Sequence, residues 1–600
     1  MSVLPPFRPR LASRWRSFEA WVGTRSSGVA LFALALAVFG LQSIALRIYP
    51  GRDMGRYVQA FLQLWYQKPV LPTVVNERGP LAALGVGAPL EVGGWAVEVW
   101  LGLLYAASLV AWGGIARLFG PRAAIFTTAA LLLYPGYGIL FHALASDSLF
   151  AAAFAGWAVL VSRAILRPSV RAFLLVGLVM GSLVLVRPAN QVLIVFALLP
   201  LVLRAPWGRR FSWVAAVSIA YITLTEGWVA LEHLRYGDAV APKPSTAALV
   251  AASVLLPLLF AAPWRRRLVS LALLAAVGAV AVKGSSLHDP GQFARSLAPS
   301  PGGSIFLFRA FEIDRIVSPD NGPASRTLGT VVQRELLSKE PYRSYGVGMD
   351  EFFSSGSDRI FQDLQTLGGS VDLPAVTREA IRRHWSTFAA GIARTNWAML
   401  WTRRVYAPES GRSSPGASTT DFIVVDGRRL PRPSEGQPIP SSRFSPRIGT
   451  VGGQAHEVWR SATEHPLVFS DPRDERRFEK LARDTTRLSN RMPAPAAQQG
   501  LVHRLNQASH AFPPPVVWLA FGLLALILRR PRRAVVALAL SAAGLGVIVG
   551  TSLVAFPVAQ YAAPVSPAFI LLAVVGLVGV QPRGRPGLPW RRGPQTQPDS

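Results

Sequence analysis

The sequence predicts an α-helical polytopic membrane protein, a bundle of about 12 transmembrane helices with a mixed extracytoplasmic segment. Three observations predict it. Only 16% of the 600 residues are charged, too few for a soluble chain of this length. Apolar runs recur along most of the chain, and short arginine clusters mark every second connection between them. The formal charge of +29 raises the question of a nucleic-acid partner. These arginines, however, sit between apolar runs and not on one polar face, so orientation in a membrane accounts for them. Membrane lipids are the expected surroundings and no nucleic acid is expected. There is no cysteine, which excludes disulfides, thiolate metal sites and cysteine nucleophiles.

Residues 1–27 form a basic leader, read as cytoplasmic. The first apolar run, 28–46, is too long for a signal-peptide core and has no small-residue cleavage site, so it reads as a retained anchor. Further runs follow at 96–116, 123–140, 148–161, 173–186, 191–203, 213–231, 249–262 and 268–282, giving a membrane module over 28–283 of about nine helices with an outer loop at 49–95. Several are shorter than the ~20 residues that span a bilayer, so they tilt, extend into polar flanks or border a water-filled cavity. Residues 284–512 form an extracytoplasmic segment. Within it, 375–404 and 472–491 have helical spacing, whereas 406–455, rich in Pro, Ser, Gly and Arg, reads as irregular. Runs at 515–528, 534–554 and 562–580 return the chain to the membrane within 513–580, and 581–600 is a cytoplasmic tail. The alternating arginines place the protein in a bacterial inner membrane with the connections at 49–95, 142–147, 187–190 and 284–512 outside.

Several polar residues stand at those outer connections. Asp53 lies in Tyr49-Pro50-Gly51-Arg52-Asp53-Met54-Gly55-Arg56-Tyr57, directly after the first run. It suits two roles equally: a general base toward a hydroxyl, or a loop acid capping a helix over 55–66. Ser146 reads as a helix N-cap at the fourth run, and Asp147 is balanced between capping and acid chemistry. His142, one histidine beside one acid, falls short of a metal signature and reads as an interface residue. Arg187 occupies an outer turn, where arginine is depleted, so it needs a partner. With Arg47, Arg52 and Arg56 it would suit a phosphate. Arg47 reads equally as a snorkelling side chain at the end of the first run. Glu226, inside the seventh run, faces the bundle interior as a structural or a catalytic acid.

With these residues in place the chain resembles the GT-C superfamily of integral-membrane glycosyltransferases, in the branch of protein O-mannosyltransferases and the lipid A aminoarabinose transferase. The resemblance rests on Asp53 followed by Tyr57 and an aromatic helix to Tyr66, the Ala145-Ser146-Asp147-Ser148-Leu149-Phe150 start of the fourth run, the stretch 177–190 with its Gly-x-x-x-Gly and Arg187-Pro188, and Gln560-Tyr561-Ala562-Ala563-Pro564. It is strongest over 28–235. It departs from the family where Met54 replaces a second acid and Gln560 stands in place of arginine. The resemblance implies a GT-C-like bundle and transfer of a sugar, hexosyl or pentosyl, from a polyprenyl-phosphate donor to a hydroxyl of an envelope glycan, lipid or protein acceptor on the outer face. By it, Asp53 is the catalytic base, Asp147 a second acid, and Arg187 with Arg52 and Arg56 the donor-phosphate site, with His142, Glu226, Tyr57 and Tyr561 behind them. A divalent metal is compatible with these residues and not required by them. The rival readings are a transporter or lipid-linked-sugar flippase, which would show internal symmetry, a polysaccharide ligase or polymerase, whose bases would lie in 284–512, and a scaffold that needs no acid at Asp53.

Overall fold

The computed structural model describes residues 8–24, 26–67, 78–236, 306–338, 371–402, 404–408, 471–492, 498–529, 534–553 and 556–578, with isolated residues and one short helix between 342 and 370 and strands between 422 and 469. The runs expected at 249–262 and 268–282 lie outside these residues.

A basic helix, α1 (Arg8–Val22), precedes the first span, α2 (Ser26–Ala45). After the short strand β1 (Tyr49–Pro50) the outer loop 49–95 is largely helical, with α3 (Met54–Trp65) and the apolar α4 (Pro80–Val92), before α5 (Gly94–Arg117) crosses back. The run at 123–140 is broken. Pro135 begins a new helix, so α6 (Pro121–Leu132) and α7 (Pro135–His142) meet at 58°, as expected where proline removes a donor and restricts the residue before it. Strand β2 (Ala143–Leu144) then leads into α8 (Ser146–Leu166), followed by α9 (Val170–Val186). The sixth run is a 3₁₀ stretch, Pro188–Val202, and α10 (Trp207–Tyr236) follows it.

Five helical stretches among the described residues are long and apolar enough to cross a bilayer, or six if the bent α6–α7 pair is one span. The fourth of them runs from Gln499 to Leu528. In α8 61% of the span is buried, against 11% in α2, so α8 is an interior helix and α2 faces lipid. One end of the bundle is marked by basic side chains: Arg122 pairs with Glu19 of α1 at 2.6 Å, and Arg117 donates to the Thr24 carbonyl. The leader and the 117–122 turn therefore share one side of the bundle, as the alternation of arginines requires.

The segment expected outside the membrane carries a second hydrophobic core, which includes Leu307, Phe311, Leu328, Phe352 and Phe388. Its helices are α11 (Pro323–Val332), α12 (Met349–Ser354), α13 (Leu373–Arg383) and α14 (Trp385–Trp397), the last continuing as a π turn to Thr402. The helical spacing over 375–404 is thus realised. Glu379 of α13 satisfies the start of α11, accepting from the Ala324 and Ser325 amides at 3.0 and 2.8 Å; these are donors that a helix N-terminus leaves open. The stretch 406–455, expected to be irregular, contains strands: a hairpin of β3 (Phe422–Val425) with β4 (Arg428–Pro431), and β5 (Ile448–Thr450) with the start of β6 (Gly453–Glu457), which β7 (Leu467–Phe469) completes into an antiparallel sheet. Helix α15 (Pro472–Ser489) packs on α3, where Gln67 donates to Asp484 at 2.6 Å. The chain then returns through α16 (Gln499–Ala511), α17 (Pro515–Arg529), α18 (Ala534–Ser552), the single turn α19 (Ala559–Ala562) and α20 (Ser566–Val578).

Candidate active site at one end of the bundle

The site begins with a two-residue bridge. β1 pairs in parallel with β2, Tyr49 opposite Ala143 and Pro50 opposite Leu144, and the Gly51 amide continues the ladder to the Leu144 carbonyl at 3.2 Å. A side chain at Gly51 would meet the Ala145 Cβ at 2.5 Å, so glycine lets the first outer loop lie on the start of α8. Asp53 follows in the left-handed region, φ 61°, uncommon outside glycine and more accessible to Asp than to most residues. It stands at the N-cap position of α3 but makes no side-chain capping bond. Its carboxylate faces Arg78, 3.5 Å away.

Asp147, in the first turn of α8, is almost fully buried and receives Arg187 Nη1 at 2.7 Å. The expected capping by Ser146 does not occur. The helix starts from Ala145, and the Ser146 hydroxyl instead accepts a 2.8 Å bond from Tyr57 of α3. Arg187 ends α9, and its guanidinium stacks on the Tyr561 ring at 4.0 Å from the centroid. Arg52 donates to the Tyr561 hydroxyl at 3.3 Å, and its charge, like that of Asp53, reaches Asp147. Burial holds the Tyr57 phenol above its ordinary range, against the Ser146 bond and the nearby charges of Arg78 and Arg187. Burial and Asp147 likewise raise Tyr49.

The structure therefore brings together Arg52, Asp53, Tyr57, Asp147, Arg187 and Tyr561, contributed by sequence positions more than 500 residues apart. It adds Arg78, which the sequence reading passed over. Arg78 sits 5.7 Å over the Tyr57 ring as well as facing Asp53. The signal was Gly79-Pro80 behind it: Gly79 packs where a Cβ would lie 2.0 Å from the Leu185 carbonyl oxygen, and this close approach carries Arg78 to the end of α9. Three guanidiniums then stand against two carboxylates, leaving an excess positive charge suited to an anion.

The other named residues fall elsewhere. Arg56 lies on the exposed face of α3. Arg47 faces Glu98 at 4.0 Å and is not part of the cluster. His142 is fully buried, its ring stacked on Phe39 at 4.3 Å, and among the described residues no group of three or more His, Asp or Glu side chains is placed to hold a metal ion. The Glu226 side chain lies outside the described residues.

Beside the charged cluster lies an apolar cavity of about 690 Å³ between α4, α5 and α8. Leu84, Ala88, Trp100 and Ala152 line it, and Leu81, Leu149 and Val186 bring its wall to within three residues of Arg78, Asp147 and Arg187. Among the described residues, then, a hydrocarbon-lined cleft runs alongside the elements that carry the cationic end.

No family model and no curated protein matches this chain. Two solved structures do, both of ArnT from Cupriavidus metallidurans. The one bound to undecaprenyl phosphate shares 17% identity over 63% of this chain and 81% of its own, and the apo form 18% over 63% and 80%, each at a TM-score of 0.28. The site described above rests on this chain's own residues.

Proposed function

We propose that this protein is a membrane glycosyltransferase that moves a sugar from a polyprenyl-phosphate donor to a hydroxyl acceptor on the outer face of the membrane. One observation carries the reading: the apolar cleft lies beside a cluster of three arginines and two carboxylates. A polyprenyl phosphate has the same two-part chemistry, a hydrocarbon tail and a phosphate to be met by guanidinium forks.

The two acids take different roles. Asp147 is buried and committed to Arg187 at 2.7 Å, so it orients that arginine against the donor phosphate. Asp53, with its side chain 38% exposed, has room for an acceptor hydroxyl and serves as general base. As the acceptor oxygen bonds to the anomeric carbon, the carbon–oxygen bond to phosphate breaks. The hydroxyl proton passes to Asp53 and the bonding pair leaves with the polyprenyl phosphate, whose charge Arg78 and Arg187 stabilise. Alignment of the two reactants supplies the remainder.

The test is transfer of a radiolabelled sugar from polyprenyl-phosphate donors by the reconstituted protein. Asp53→Asn is expected to lower transfer by about 10²–10⁴-fold, the usual contribution of a general base, with donor binding retained. Arg187→Ala is expected to weaken donor binding. Unimpaired transfer by Asp53→Asn would sink the mechanism, and movement of label across the bilayer without transfer would replace it with a flippase.

A further inference from the structure

We propose that the buried Arg309–Asp314 pair is a positioning device that ties the extracytoplasmic subdomain to the outer end of α18 and thereby sets Tyr561 over Arg187. The proposal rests on the reading of Arg187 as a donor-phosphate residue, and extends it to control of that site from outside the membrane.

Arg309 is fully buried and grips Asp314 with two bonds, Nε to Oδ2 at 2.8 Å and Nη2 to Oδ1 at 3.1 Å. A π turn over Arg309–Ile313 and a left-handed Arg315, φ 51°, fold the chain so that the acid returns to the arginine. The remaining nitrogen, Nη1, leaves the subdomain. It donates to the backbone carbonyl of Ser552, the last residue of α18, where a helix has carbonyls without partners and favours a cation. Asn396 of α14 adds a bond to the Ser552 hydroxyl at 2.9 Å, and Phe308 sets its ring edge-on to Phe556 at 5.5 Å. Arg309 and Asn396 come from opposite ends of the subdomain sequence, and Thr395 touches the same guanidinium at 3.4 Å. The grip on Ser552 therefore forms only when the subdomain is folded.

Beyond Ser552 the chain passes Phe556 into α19, whose Tyr561 stacks on Arg187 and receives Arg52. The clamp's contacts thus fall on Ser552 and Phe556, within nine residues of Tyr561. Buried side chains with fixed partners shift between discrete arrangements and do not yield gradually, so a change in the subdomain on meeting an acceptor is passed to the donor arginine as a movement of this turn. Gly391 offers a perturbation that removes no charge: a Cβ there would lie 2.0 Å from Asp314 Oδ1 and 2.8 Å from Arg309 Nη2.

The chain has no cysteine, so a Gln560→Cys protein reports the turn through its rate of labelling by a water-soluble maleimide, with no ligand needed. In the full chain in nanodiscs, Gly391→Ala and Arg309→Lys are each expected to raise that rate about tenfold, and Asn396→Ala, which loses one of the bonds to Ser552, by a smaller factor. In the protein without Gln560→Cys, affinity for an added polyprenyl phosphate is expected to fall at least about fivefold in Gly391→Ala, the low end of typical site-to-site coupling. It should fall no further when Tyr561→Ala is combined with it, as for residues acting through one path. Unchanged labelling and affinity in Gly391→Ala and Asn396→Ala proteins of normal melting temperature would overturn the proposal. Altered labelling in a protein whose wild-type form binds no polyprenyl phosphate would keep the positioning role and remove the donor reading.

Discussion

Asp147→Asn is the most informative single change at the site, because its cost follows from geometry. The pair it breaks is short, 2.7 Å, and both side chains are mostly buried, 8% exposed for Asp147 and 14% for Arg187. Asparagine keeps the shape and one acceptor oxygen but removes the charge, leaving a guanidinium out of water with its main counter-ion gone. Removing one partner of such a pair costs about 3–5 kcal/mol, mostly the penalty of the charge left behind. The contact of Arg187 with the Tyr561 ring remains and offsets part of that, which places the expectation near the lower figure. Asp147→Asn/Arg187→Gln is expected to be less destabilised than Asp147→Asn alone, since the second change removes the stranded charge. The assay is denaturant unfolding in nanodiscs of wild type, both single variants and the double variant. A loss below about 1 kcal/mol in Asp147→Asn, the range of an exposed pair, or additive losses in the double variant, would refute the reasoning.

Three further outcomes are expected. Ala152→Trp fills the cleft without touching the charged cluster; polyprenyl-phosphate affinity should fall by more than about tenfold, read by titration in nanodiscs, as a blocked apolar pocket requires. Burial disfavours the charged form of Glu379, but the Ser325 hydroxyl and the amides of Ala324 and Ser325 outweigh it and hold the carboxyl below its ordinary 4.5. A depressed folded-state value means stability that is present above the unfolded pKa and lost as pH falls through the folded one. The melting temperature of Glu379→Gln should accordingly sit below wild type at neutral pH and converge with it as pH drops below 4.5. In right-side-out vesicles, an impermeant maleimide should label Ser386→Cys at once and Ser17→Cys only after the membrane is disrupted; the reverse order would invert the topology.

Residues near the ends of long apolar runs were the legible ones. Asp53, Asp147 and Arg187 could be placed on one side of the membrane because hydropathy and arginine alternation locate span ends, and Tyr561 joined them through the motif before the last run. Arg78 was not legible. It lies inside the 47-residue connection 49–95 and reaches the site through a glycine contact with α9, a tertiary event that no periodicity announces. Ser146 failed for a related reason: serine before an apolar run is a fair cap signal, yet Tyr57 from another helix takes its hydroxyl. Composition also misread 406–455, where Pro, Ser and Gly mask short strands whose pairing partners lie nearby in the chain. The bend at Pro135 was written in the sequence, but a continuous apolar run concealed it.

The two-residue bridge between β1 and β2 has a consequence for how the protein is made. Asp53 emerges from the ribosome before its seat exists, since the strand that receives it begins at Ala143, some 90 residues later. Arg187 and Tyr561 arrive later still. The connection over 49–95 therefore waits unanchored while α5, α6 and α7 are made, and it closes on α8 only when that helix follows. Contacts so distant in sequence form late and slowly. A chain stalled or cleaved before Ser146 would sit in the membrane with Asp53 in place and no Arg187 to complete the cluster. Such a fragment would be inserted and inert, so the proposed sugar transfer is withheld until Tyr561 has been made.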